Sequence, residues 1–293
     1  MTLEQLRIFV AVAERQHLTR AAADLRLTPS AVSAAIRVLE DRHGVALFHR
    51  VGRGIELSEA GTIFLAEAKV VLAGAERAET TLFDLAGLRR GSLFIKASQT
   101  IASYFLPPLL VDFHDAHPAV EIGLAIGNTE TVAASVLDGT AQLGFIEGAI
   151  DEPALSIRAI AEDRLIVVVG PSHEWSDGRL VTRADLLRTR WIMRERGSGT
   201  RSSFEQALEA QGIEPTALDV ALELPSNEAV RSAVERTALA TVLSESVALP
   251  HIEAGRLKRA GFDAVPRLFS MIRHKERYRT RAALAFEELL LGR

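Results

Sequence analysis

Leu18-Thr19-Arg20-Ala21-Ala22-Ala23-Asp24-Leu25, a gap of two residues, then Thr28-Pro29-Ser30-Ala31-Val32-Ser33 running on to Ile36, Arg37, Leu39 and Glu40: this stretch decides the fold of the first part of the chain. Thr28 can cap a helix whose first residue is Pro29, because proline lacks only an N–H that would be orphaned there. Ala21 and Ala22 are small enough to let two helices approach across a short turn. Val32, Ile36 and Leu39 recur at i, i+4 and i+7 and face inward. Ser30, Ser33, Ala34 and Arg37 are left facing out. A helix with a small polar outer face and one arginine suits the major groove of duplex DNA.

Working outward, Leu3 to Arg15 reads as a covering helix with Leu6, Phe9, Val10 and Ala13 on one face. Beyond the second helix, Val45–Phe48 and Gly54–Leu57 read as extended pieces around Gly52-Arg53-Gly54, a turn that glycine permits. Arg50 and Arg53 would sit beside a phosphate backbone there. Residues 59–86 carry apolar side chains at helical spacing without a proline, predicting about 42 Å of helix. A helix of that length needs a partner, so it reads as a dimerising linker ended by a hinge at Gly87–Gly91. From Ser92 the pattern changes. Apolar runs at Leu93–Ala97, Val120–Ile126, Ala141–Ile146, Leu165–Gly170, Trp191–Met193, Val220–Leu224, Leu239–Leu243 and Pro266–Ile272 alternate with amphipathic stretches. Those are Ala102–His117, Thr129–Asp138, Thr182–Leu187, Thr200–Gln211 and Ser226–Glu235, before a last helix Arg277–Leu290. Strand–helix alternation predicts an α/β sheet in two lobes.

The chain has 293 residues, a net charge of −4 and no cysteine, which excludes disulfides and thiolate metal sites. Eight arginines face seven acidic residues across residues 1–60. DNA contact must therefore come from local placement of Arg37, Arg50 and Arg53, and from more than one copy of the domain. No apolar run reaches the roughly 18 residues that span a bilayer, and no secretory signal is read, so a cytoplasmic protein without a membrane partner is expected.

The whole chain resembles a LysR-type transcriptional regulator. The resemblance rests on Leu3-x2-Leu6-x2-Phe9, Leu18-Thr19-x-Ala21-Ala22-x2-Leu25, Pro29-Ser30-Ala31-Val32-Ser33-x2-Ile36-x2-Leu39-Glu40, Gly44-Val45-x-Leu47-Phe48-x-Arg50-x2-Arg53 and Leu57-Ser58-x-Ala60-Gly61. It implies a winged helix-turn-helix over 1–58, a linker helix and hinge over 59–90, and an effector-binding domain over 91–293. That domain would be two periplasmic-binding-protein-like, Rossmann-like lobes: 91–162 with 267–293, and 163–266 inserted between them. The crossings would lie near Glu147–Asp163 and Val265–Leu268. It further implies a homodimer or homotetramer, binding to a promoter dyad in double-stranded DNA, RNA polymerase as a partner, and a small-molecule effector. Two departures stand out. Ala34 occupies a position where many relatives place a long polar residue, and Arg236-Thr237-Ala238-Leu239-Ala240 replaces a glycine-rich turn.

The expected DNA contacts are Thr28, Pro29, Ser30, Ser33, Ala34, Arg37, Arg50 and Arg53, with Thr28 and Pro29 chiefly starting the helix. Ser98-Gln99-Thr100 follows the first sheet strand and precedes a helix, where N–H groups and hydroxyls favour an anion. Alone this reads as an ordinary cap; the resemblance makes it an effector loop, and Asn128-Thr129 repeats the arrangement. Gly197-Ser198-Gly199-Thr200-Arg201 presents amides, hydroxyls and a cation but lacks the ending of a nucleotide-binding P-loop. With Glu147 these predict an anionic effector held by Ser98, Gln99, Thr100, Asn128, Thr129, Glu147, Ser198, Gly199, Thr200 and Arg201. Sulfur oxyanions, phosphorylated sugars and carboxylates all satisfy that charge argument. No cofactor or metal is expected: His114 and His117 read as a polar helix end, Glu195 as part of a solvated charge run, and Trp175 and Trp191 as packing residues. An enzyme or a cytoplasmic solute-binding protein on the same scaffold are the alternatives; no nucleophile elbow, dinucleotide fingerprint or metal-ligand set supports an enzyme.

Overall fold

The computed structural model describes residues 1–51, 54–85, 91–263 and 265–292. Its contacts divide into two units, Met1–Leu82 and Phe83–Arg293.

In the first unit, α1 (Leu3–Arg15) starts at a reciprocal cap between Thr2 and Gln5. Then come α2 (Leu18–Asp24) and α3 (Pro29–His43), the latter capped by the Thr28 hydroxyl accepting from the Ala31 amide at 3.2 Å and ended by Gly44 at φ +64°. The strands β1 (Phe48–Val51) and β2 (Gly54–Leu57) pair antiparallel, and α4 (Glu59–Leu85) follows. Phe9, Val12, Ala21, Val32, Ile36 and Leu39 form a core closed on one side by Phe64, Leu65 and Ala68 of α4. Gly61 is required there: a Cβ would come 2.0 Å from the Leu47 carbonyl oxygen. Ser58 fixes the same corner, accepting from the Gly61 amide at 2.8 Å and donating to the Ala46 carbonyl at 2.7 Å.

The second unit opens with β3 (Gly91–Ser98), a π-helical turn (Ile101–Phe105), α5 (Leu106–Ala116), β4 (Val120–Gly127), α6 (Thr129–Asp138), β5 (Leu143–Glu147) and β6 (Leu155–Val169). It continues with α7 (Arg183–Arg188), β7 (Arg190–Arg194), α8 (Gly199–Ala210), β8 (Asp219–Leu224), α9 (Asn227–Val234) and β9 (Ala240–Ser244). Last come α10 (Glu245–Glu253), β10 (Lys258–Arg259), β11 (Val265–His274) and α11 (Arg281–Leu291). One sheet runs β4-β3-β5-β11-β6-β9-β7-β8, with β10 beside β6. The β4-β3-β5 and β9-β7-β8 groups are parallel, and β11 and β6 join them antiparallel. Each end buries its own apolar clusters: Phe113, Phe145 and Phe286 at one, Trp175, Trp191 and Phe204 at the other.

Several elements differ from the sequence reading. The apolar run read from Leu165 is only the second half of a longer strand: β6 begins at Leu155, within the segment expected to cross between lobes, and that first half pairs with β11. Ala102–His117 is not one helix: Pro107 and Pro108 lack N–H donors, and the preceding turn widens to π geometry. The first wing strand starts at Phe48 rather than Val45, and the last helix at Arg281, capped by Thr280. The helix α10 was missed; its interior Pro250 masks the pattern. The predicted hinge, from Gly87 to Arg90, and Arg53 lie outside the described residues.

Candidate functional site

The first candidate surface is the outer face of α3. Thr28, Pro29, Ser30, Ala34, Arg37 and Arg50 are exposed, and Ser33 is half-buried. The Thr28 and Ser30 hydroxyls lie 3.0 Å apart at the helix start. A recess of about 200 Å³ is lined by Ser33, Arg37, Glu40, Phe48, His49 and Arg50, among others. Among the described residues neither Arg37 nor Arg50 forms an ion pair, so both charges are available to an external anion. Glu40 sets the geometry: its carboxylate accepts from the Leu47 and Phe48 amides at 2.7 and 3.2 Å, tying β1 to the end of α3. His49, on this rim, was not foreseen.

The second is the junction between the two halves of the sheet. At the end of β5 the Glu147 carboxylate accepts from Ser98 at 2.9 Å, from Thr200 at 3.1 Å and from Arg267 at 2.6 Å. Burial alone would raise this carboxyl; Arg267 beside it and hydrogen bonds from Thr100, Ser98 and Thr200 hold it below the usual carboxylate range. Arg267 also donates through Nε to Asp163 at 2.7 Å. Its Nη2 lies 2.6 Å from the same carboxylate but off the line of its N–H, an ion-pair contact without a hydrogen bond. Ser244 donates to Asp163 at 2.8 Å. Thr129 donates to the Glu147 carbonyl at 2.9 Å, and a Cβ at Gly199 would collide with both groups. Asn227, at the start of α9, donates to Thr100 at 3.1 Å, and its amide donates to Gln99 at 2.7 Å. Thus the starts of α6, α8 and α9 and the π-helical turn converge on one buried polar knot.

The structure brings Ser98, Gln99, Thr100, Thr129, Glu147, Gly199 and Thr200 together. Asn128 stands at the edge, capping α6 and donating to Glu195 at 3.4 Å. Ser198 precedes α8 and is buried, but its side chain does not cap the helix. Arg201 is turned elsewhere. Its guanidinium lies between Glu205 and Glu223 and donates to the Arg194 carbonyl at 3.0 Å, so it offers no cation to the junction. The cation there is Arg267, which sequence reasoning missed. Nor is the charge run around Glu195 fully solvated: Arg194 is buried and bridges Glu195 and Asn227. Among the described residues no group of three His, Cys, Asp or Glu side chains could hold a metal, and no helix is long and apolar enough to cross a membrane.

The chain also matches the profiles of known proteins. The profile of bacterial regulatory helix-turn-helix proteins of the lysR family matches residues 3–62, and that of the LysR substrate binding domain matches residues 86–293. A "Probable RuBisCO transcriptional regulator" of Cyanidioschyzon merolae is 34% identical over 296 residues, covering 99% of this chain and 98% of that protein. The "Uncharacterized HTH-type transcriptional regulator YeiE" of Escherichia coli (strain K12) is 32% identical, with 98% and 96% covered. Full-length CbnR, crystallised with its target DNA, superposes with a TM-score of 0.72 at 25% identity, covering 100% of this chain and 99% of that one. The chain belongs to the LysR family: it is a DNA-binding transcriptional regulator with an effector-binding domain. That family is one of transcriptional regulators, not of enzymes.

Proposed function

We propose that the exposed face of α3 and the wing bind a promoter dyad through Thr28, Pro29, Ser30, Ser33, Ala34, Arg37 and Arg50, with Arg53 alongside. The observation that carries this is the pair of arginines, without ion-pair partners among the described residues, flanking one recess beside a capped, small-residue helix start. Arg37 suits a guanine edge and Arg50 a phosphate. CbnR, with its target DNA, offers the same architecture. Fluorescence anisotropy on a labelled promoter fragment tests it. Arg37→Ala should lose sequence preference, and Arg50→Ala should weaken binding to all sequences about equally. Binding unaffected by either change would refute the assignment.

The protein acts, on this reading, in the cytoplasm as a homodimer through α4, with two dimers forming a tetramer that contacts RNA polymerase. Ile63, Val71 and Leu82 are exposed and fall within about 100° of arc on α4. Sedimentation of Ile63→Asp/Leu82→Asp should show smaller species; an unchanged mass would reject the role of α4.

We place the effector between lobes 91–162 with 267–293 and 163–266, at the knot around Thr100, Thr129, Thr200 and Asn227. The converging helix starts favour a small anion there, which would replace the direct lobe-to-lobe bonds. Lobe rearrangement then shifts the population of DNA-competent states. Titration calorimetry with sulfate, phosphate and small carboxylates should show binding lost in Thr100→Val and retained in Arg201→Ala. Identical heats for wild type and Thr100→Val would end this assignment.

A further inference from the structure

Behind the polar knot lies a second cavity of about 570 Å³, bounded by the turn after β5, by α8 and by the start of β11. Of the residues that carry the knot's hydrogen bonds, Arg267 alone lines it. Ile150, Ile157, Ala207, Pro266 and Leu268 make its walls largely apolar, and Ile157 and Leu268 are half exposed. Ser203, also in the lining, is 7% exposed, yet its hydroxyl has no hydrogen-bond partner among the described residues. It stands over Gly148, where a Cβ would lie 3.0 Å from Ser203 Oγ at a backbone φ of +78°. A buried hydroxyl without a partner costs free energy, which a ligand could recover. Arg267 Nη2 has no acceptor in line among the described residues, but its charge is already met by Glu147 and Asp163.

We propose that this cavity is a second small-molecule site, taking a compact uncharged molecule with an apolar body and a single hydroxyl or carbonyl directed at Ser203. The volume falls within the range of small-ligand sites, and an apolar wall with one or two placed polar groups is their usual composition. A charged ligand is disfavoured because, among the described residues, no unneutralised cation or anion lines the apolar walls. The site stands independently of where the anionic effector binds. Because Arg267 belongs to both, occupancy would be felt at the knot.

Line broadening in ¹⁹F NMR of 4-fluorobenzyl alcohol with the full-length protein tests the proposal. Saturable broadening at millimolar probe is expected for wild type. Ala207→Trp and Leu268→Trp fill the cavity from two different elements, and each should abolish it while urea midpoints show both variants folded. Ser203→Ala should weaken binding several-fold, and Val220→Trp, on β8, should leave it unchanged. Absence of saturable binding to wild type, or binding indifferent to both cavity-filling variants, would overturn the assignment.

Discussion

The face of α3 and the junction beneath β5 are made of the same residue types, serine, threonine and arginine, in opposite states. On α3 the hydroxyls are exposed or half-buried and Arg37 has no ion-pair partner among the described residues. At the junction Ser98, Thr100, Thr200 and Asn227 are at most 3% exposed, and Arg267 is held between two carboxylates. The contrast separates two ways of using polar side chains. An exposed set costs the fold little and is free to meet an outside partner. A buried set must satisfy itself, which fixes how the two halves of the sheet meet and makes each member matter to stability.

The sharpest way to break this comparison is Arg267→Met. It leaves Glu147 and Asp163 buried without their cation, and urea unfolding should lose about 3–5 kcal/mol. A loss no larger than that of a surface arginine would mean the junction is not the buried charge network described. Gly61→Ala comes next. It tests whether backbone contact, rather than polar bonding, limits the DNA-binding unit, and about 1–3 kcal/mol should vanish as the Leu47 carbonyl is pushed aside. Arg37→Ala should move the other way: promoter affinity falls by about 1–3 kcal/mol, while stability stays within about 0.5 kcal/mol of wild type. Thr28→Ala removes only the cap of α3 and should cost about 1 kcal/mol, read from thermal unfolding. The gentlest test is pH. Glu147 has a depressed pKa in the folded chain, so its contribution is complete above the ordinary carboxylate value and is lost as pH falls through the folded value. Glu147→Gln should flatten the acid limb of the unfolding curve and leave neutral pH slopes alone.

Local signals carried the reading of the first unit. The Thr28-Pro29 start and the Val32-Ile36-Leu39 spacing each act within a few residues, so α3 could be placed from sequence alone, while its stop at Gly44 came from the structure. Most strands of the second unit were legible for the same reason. The outer half of β6 was not, because Arg158, Glu162 and Asp163 interrupt its apolar run and only pairing with β11 makes it a strand. The junction was legible in its loops but not in its bonds. Arg267 reaches partners 104 and 120 positions away, and Asn227 meets Thr100 across 127. Arg201 misled for a related reason: its place after a glycine-rich turn suggested an anion, but Glu205 one turn on and Glu223 on β8 claim its charge.

Asp163 and Arg267 are opposite one another on the β6–β11 ladder as well as ion-paired. Residues 164–266 therefore begin and end beside a single rung, and that segment has adjoining ends. Exchanging that segment for the corresponding piece of a relative would join at one seam rather than at two distant ones.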